Sequence, residues 1–198
     1  FAEGLKQNLE TQKKAISQEY DSLRDVDALS RYNAKKELAL KASELFSNVL
    51  ILSELDKSFD KKESLDFIQT KQQEFLKEAK NLKFFVKGDA KSSKFIKSIK
   101  NYLAQNGFNV VNSKDAMKIE AKTNDNINRQ GSIAIAVITL EIGVYDKDQR
   151  IGGKSIILKE RYNGSYESLY KNASIHLEQD IKSQGINEVI GINLVENH

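Results

Sequence analysis

Apolar residues recur at helical spacing over the first part of the chain and at strand spacing over much of the rest. Leu5, Leu9, Ile16 and Leu23 share one stripe of a helix predicted over residues 3–24, with Gln12 and Tyr20 or Glu19 filling the missing places. That stripe is thin, so little apolar area fixes this helix. Residues 24–27 form a break, with Asp25 or Asp27 as N-cap of the next helix. Leu38, Ala42, Leu45, Val49 and Leu52 then step by four and three through residues 28–56. The run Val49–Leu52 also fits a buried strand, although its Ala/Lys/Glu-rich flank favours helix. A third helix is predicted over 61–82, opened by Asp60 and Glu63 at capping-box spacing. Three such helices can bury their seams in an antiparallel bundle, and the same seams could dock on a partner helix.

From Phe84 the pattern changes. Phe84–Val86 reads as a strand and residues 90–105 as a helix with Phe95, Ile96, Ile99 and Leu103 on one face. Gly107 suits its C-terminal cap. Strands follow at 108–111, 117–122, 133–144 and 154–162, with a polar loop predicted over 123–129. In the strand 133–144, large apolar residues sit first at odd positions and then at even ones. The switch predicts a bulge or twist near Val137–Ile138. A hairpin loop is read at Asp146–Arg150 with Gly152 and Gly153. The last helix spans 165–184, and 186–194 reads as a short strand or irregular tail. The fold class is α+β. It comprises an antiparallel helical bundle over 1–83 and a two-layer α/β sandwich over 84–198, of order β-α-β-β-β-β-α. Two helices are expected on one face of its mixed sheet.

Composition narrows the chemistry. The chain has 198 residues, no cysteine, no proline and no tryptophan. Disulfides, thiolate nucleophiles and Cys-containing zinc sites are excluded. Net charge is +3, and the excess lies wholly in residues 84–198. A dedicated nucleic-acid binder shows a larger and more clustered excess. No apolar run approaches the roughly 20 residues of a membrane span.

His176 lies at helical spacing beside Leu169, Ala173 and Leu177, where a core or boundary role outweighs a general base without visible partners. His198 is the last residue. Gly152-Gly153-Lys154 lacks the spacing of a phosphate loop and opens a strand, so its glycines read as turn residues. Asp146 and Asp148 lack the remaining ligands of a calcium loop. The one candidate surface is Lys91, Lys94, Lys97 and Lys100, opposite the apolar face of its helix. Such a face can meet phosphates or anionic headgroups, or simply be a solvated helix back.

Residues 84–195 carry a further pattern: a helix ending in Asn106-Gly107-Phe108 before Val110-Val111, then Ser113-Lys114-Asp115-Ala116, a long hairpin, and a final helix centred on Ala173. This resembles α/β domains of bacterial outer-membrane accessory proteins, including TolB N-terminal-like domains and flagellar-assembly lipoproteins. It is also similar to the epsilonproteobacterial Lpp lipoprotein family and the secreted proteins encoded beside it. The resemblance implies protein–protein contact and transfers no catalytic residue. The expectation is a non-catalytic secreted or periplasmic protein, with outer-membrane association an option. Its partner would be a protein of the envelope or host, and it would use no cofactor, metal or nucleic acid. The alternatives are anionic-surface binding through the lysine-rich helix and, less favoured, a carboxylate-dependent hydrolase.

Overall fold

The computed structural model describes residues 1–195, so His198 lies outside the described residues. The chain divides into two compact units, Phe1–Asn81 and Leu82–His198. The first holds three helices: α1 (Ala2–Asp21), α2 (Ala28–Leu55) and α3 (Lys61–Asn81). A short 3₁₀ turn, Ser22–Asp25, ends α1, and Asp27 is the residue that caps α2. Its carboxylate accepts the Leu29 and Ser30 backbone N–H groups at 3.0 and 2.9 Å. These are two of the donors that a helix start leaves without an internal partner. Val49–Leu52 is helical, within α2.

Leu9 and Ile16 of α1 pack with Leu38, Ala42, Leu45, Val49 and Leu52 of α2 and Ile68 of α3. Lys41 of α2 pairs with Glu19 of α1, and Arg31 and Lys35 of α2 both pair with Glu78 of α3. These pairs fix the helices as up, down and up. The gap in the α1 stripe is filled by Lys13 rather than Gln12. Lys13 is 8% exposed and ion-paired with Glu10 and Glu63, each at 3.0 Å. Asp60 accepts the Lys62 N–H at the start of α3, whereas Glu63 is turned to Lys13. An ion pair between helices thus takes the side chain that the capping-box spacing assigns to a local role.

The second unit is a mixed six-stranded sheet with helices. Its strands are β1 (Lys83–Gly88), β2 (Asn109–Val110), β3 (Met117–Gln130), β4 (Ile133–Asp146), β5 (Gln149–Gly152) and β6 (Ser155–Tyr162). The order is β2-β1-β3-β4-β5, with β6 also on β4. β1 is parallel to β2 and β3, and all other pairings are antiparallel. Helices α4 (Ser93–Gln105) and α5 (Tyr166–Gln184) bury Phe95, Ile99, Leu103, Leu169, Ala173 and Leu177. A short α6 (Ile186–Ile190) stands where a strand or tail is expected from sequence.

Three strand features differ from the sequence reading. Residues 123–129 are not a loop: β3 runs on to Gln130 and pairs residue by residue with β4. No bulge occurs at Val137–Ile138, because burial stays on even positions from Ala134 to Ile142. The register shift falls at Val144/Tyr145 instead, where β4 meets β5. The hairpin turn is only Lys147-Asp148, with Lys147 at φ 56°, and the glycines serve another purpose. Gly153, at φ +118°, donates its N–H to the Gly191 carbonyl at 2.9 Å. A β-carbon on Gly153 would lie 2.0 Å from the Ile142 oxygen, and one on Gly191 2.6 Å from the Gly153 carbonyl carbon. The Gly152-Gly153 pair therefore lets the chain after α6 close against the sheet. Among the described residues no helix is long and apolar enough to cross a membrane.

Candidate functional site

The lysine set separates on the structure. Lys91 lies in a 3₁₀ turn, Ala90–Ser92, ahead of α4. Its amine reaches Asp125 of β3 at 2.9 Å. Lys94 faces Glu167 of α5 at 3.4 Å. Lys97 and Lys100 are exposed on the outer side of α4. Two of the four cations are thus drawn to carboxylates of neighbouring elements, and two point to solvent.

Asp125 is the centre of a node that the sequence does not reveal. It sits on the inner face of β3, opposite Ile138 of β4. The hydroxyls of Tyr166 and Tyr170 on α5 both donate to it, Tyr170 at 2.7 Å, and Lys91 donates from the α4 side. The two rings lie 4.9 Å apart and Tyr170 also packs on Phe95. Burial works against the charged carboxylate, but the three donors outweigh it and bring its pKa down to about 2. Burial and the neighbouring Tyr166 and Asp125 raise the Tyr170 phenol above its ordinary value. Tyr170 is therefore a donor and Asp125 an ionised acceptor at neutral pH, an arrangement that ties β3 to α5. A smaller node lies beside it. Asp89 caps the turn before α4 by accepting from Ser92, and it also accepts the Thr123 N–H at 3.0 Å. Burial opposes that charge, yet the hydrogen bonds from Ser92 and Thr123 lower its pKa.

His176 is half exposed on α5, and its Nδ1 lies against the carboxylate of Glu160 on β6. Glu160 is 5% exposed, so His176 is the boundary residue over a buried acid. On the other face of the sheet, Lys87, Lys114, Lys118 and Lys147 line a cleft of about 430 Å³ that also contains Asp115 and Asp148. Glu120 engages Lys87 at 2.8 Å and Lys118 at 3.6 Å, which offsets part of the positive charge.

The most unusual surface is on α2. Besides its buried stripe the helix carries Leu40, Phe46, Leu50, Ile51 and Leu55, which are between 42% and 57% exposed. Phe46 and Leu50, like Ile51 and Leu55, are four residues apart and share a turn-to-turn face. The two pairs lie on different flanks of the helix, with Ser43, Ser47 and Glu54 between them. Sequence periodicity displayed the buried seam of α2, and the exposed apolar residues lie off that stripe.

No family model and no curated protein matches the chain. Solved structures align with about half of this chain. A minor lipoprotein from Acinetobacter baumannii aligns at TM-score 0.39 with 16% identity, over 55% of this chain and 94% of that one. The rare lipoprotein B from Shewanella oneidensis aligns at TM-score 0.34 with 7% identity, over 53% and 89%. A neuraminyllactose-binding hemagglutinin homolog from Helicobacter pylori aligns at TM-score 0.32 with 10% identity, over 55% and 87%. At these scores the likeness assigns neither family nor function.

Proposed function

We propose that this chain is a non-catalytic envelope protein, secreted or periplasmic, that acts by protein–protein contact. The observation that carries the contact role is the set of exposed apolar residues Leu40, Phe46, Leu50, Ile51 and Leu55 on α2. Large apolar side chains clustered on one helix, with polar residues between them, are the mark of an interaction surface. The location rests on the sequence resemblance of residues 84–195 to envelope modules. Fractionation of the native cells should place the protein in envelope or medium, and a purely cytosolic signal overturns that part. A photoreactive residue at position 51 should give cross-linked adducts in those cells, and their absence at full expression overturns the contact role.

A second reading is favoured by the exposed Lys97 and Lys100 and by the lysine-lined cleft. It is contact with an anionic surface. That reading requires binding to anionic vesicles or DNA that weakens steeply with salt. No binding at low ionic strength removes it.

A further inference from the structure

β6 ends the sheet on one side. Among the described residues it pairs with β4 alone, from Ala134–Tyr162 to Glu141–Ser155 without a break. The chain after α6 bonds to Gly153, but from Ser155 to Tyr162 no backbone group of the described residues bonds to the outer edge. Residues along a strand turn their N–H and C=O to alternate sides, so this edge holds a row of donors and acceptors open to water or to another strand. Natural edges are blunted by shortness, proline, a bulge or charge. β6 has eight residues, no proline, no glycine and an unbroken register. Charge is the device it carries, and that charge has one sign where it is exposed.

The side chains say what the edge admits. Leu158, Glu160 and Tyr162 are buried on the helix-covered face. On the open face β6 presents Ser155, Ile157, Lys159 and Arg161, all exposed, with Ile157 at 62%. Neither Lys159 nor Arg161 has an ion-pair or hydrogen-bond partner among the described residues. Their neighbours across on β4 are Val137 and Ile135, and beyond these lie Asn126 and Asn128 of β3. The carboxylate on this face of β4, Glu141, lies opposite Ser155 at the other end of the strand.

We propose that the free edge of β6 takes an extended acidic segment of another protein as an added strand, with an apolar residue beside Ile157 and carboxylates beside Lys159 and Arg161. Main-chain hydrogen bonds to the edge supply affinity, and the alternate side chains supply specificity. Opposite charges paired across strands are favourable, and like charges directly opposite are not. A second copy of β6 is a poor occupant, because its open face brings Lys159 and Arg161 and no carboxylate. An anionic membrane or nucleic acid can meet the cations but has no strand to satisfy the backbone edge. The surface belongs to the second unit, so it stands or falls apart from the exposed residues of α2.

The test uses the purified full chain and labelled synthetic peptides read by fluorescence anisotropy. The probe carries valine, glutamate and glutamate at alternate positions with threonine between them, made in both chain directions. One direction should bind. A probe with lysine in place of glutamate should bind about tenfold more weakly. A variant combining Lys159→Glu and Arg161→Glu should reverse that preference, which a loss of fold would not do. Methyl groups on alternate backbone nitrogens block one edge of a peptide strand. One methylated set should abolish binding, and the complementary set should leave it unchanged. No binding in either direction overturns the proposal. So does binding indifferent to both methylated sets, which is charge attraction without strand addition. Capture of anionic vesicles without peptide binding overturns it as well. So does a chain that is dimeric in sedimentation and cross-links to its own copy from position 157. Cross-linking from position 51 in cells is unaffected by these results, so the contact role of α2 is judged separately.

Discussion

Asp125 shows how much one side chain can depend on residues remote in sequence. Its donors come from positions 91, 166 and 170. With the folded carboxyl lowered from 3.8 to about 2, its contribution to stability is present above the unfolded value and is lost as pH falls through 2. Asp125→Asn should therefore cost about 1–2 kcal/mol at neutral pH. It should also flatten the acid limb of stability between those two values. Urea titrations at a series of pH values measure both. An unchanged acid limb would mean that the node carries no net charge-dependent stability. Tyr166→Phe and Tyr170→Phe each remove one donor and should cost less, about 1 kcal/mol apiece.

At the scale of elements, two backbone devices decide how pieces join. Asp27 stops the chain between α1 and α2 and satisfies two N–H groups, so Asp27→Ala should cost about 1 kcal/mol in thermal or denaturant unfolding. Gly153 and Gly191 hold positive φ and face each other's backbone. Gly153→Ala combines a forbidden conformation with a collision at the Ile142 oxygen. It should cost more than about 1 kcal/mol and loosen α6 first. Amide hydrogen exchange would show this as early loss of protection at Val189 and Gly191, and protection lost evenly across the sheet would contradict it. The glycine pair was visible in the sequence, but its reading as a hairpin turn was reasonable only while the position of Gly191 was unknown. Likewise the polar run 123–129 has the composition of a loop. It is a strand because thirteen consecutive pairs with β4, from Lys118–Tyr145 to Gln130–Ile133, supply its backbone partners.

At the scale of the whole molecule we propose that the two compact units fold separately. Residues 82–198 contain the six strands and helices α4 to α6, with their apolar faces turned together. That fragment should melt cooperatively by itself with native-like circular dichroism. A fragment that stays unfolded would show that the division by compactness is not a division by stability. The three-helix unit is the weaker candidate for independence, because α1 buries only Leu9, Lys13 and Ile16 and α3 only Ser64 and Ile68.

The sequence alone determined what is local. Helical period over 28–56 and 61–82, strand-forming runs from Phe84, an aspartate cap at Asp25 or Asp27 and the α+β class all follow from spacing and residue type, which short-range sterics and hydrogen bonding convert directly into structure, and the fold selects Asp27. Tertiary structure decided what alternation and composition cannot encode. Ile133 and Ile135 look like core residues, yet Ala134 and Ala136 are buried and the isoleucines are exposed. A period of two says that a strand has two faces and not which one the helices cover. The pairing with β3 and the placement of α4 and α5 settle that. The lysine helix was found from its period, but which lysines meet carboxylates depends on Asp125 and Glu167, brought near by the fold. The exposed apolar residues of α2 lie between these cases: they are in the sequence, but only packing shows which of the helix's apolar residues the bundle buries.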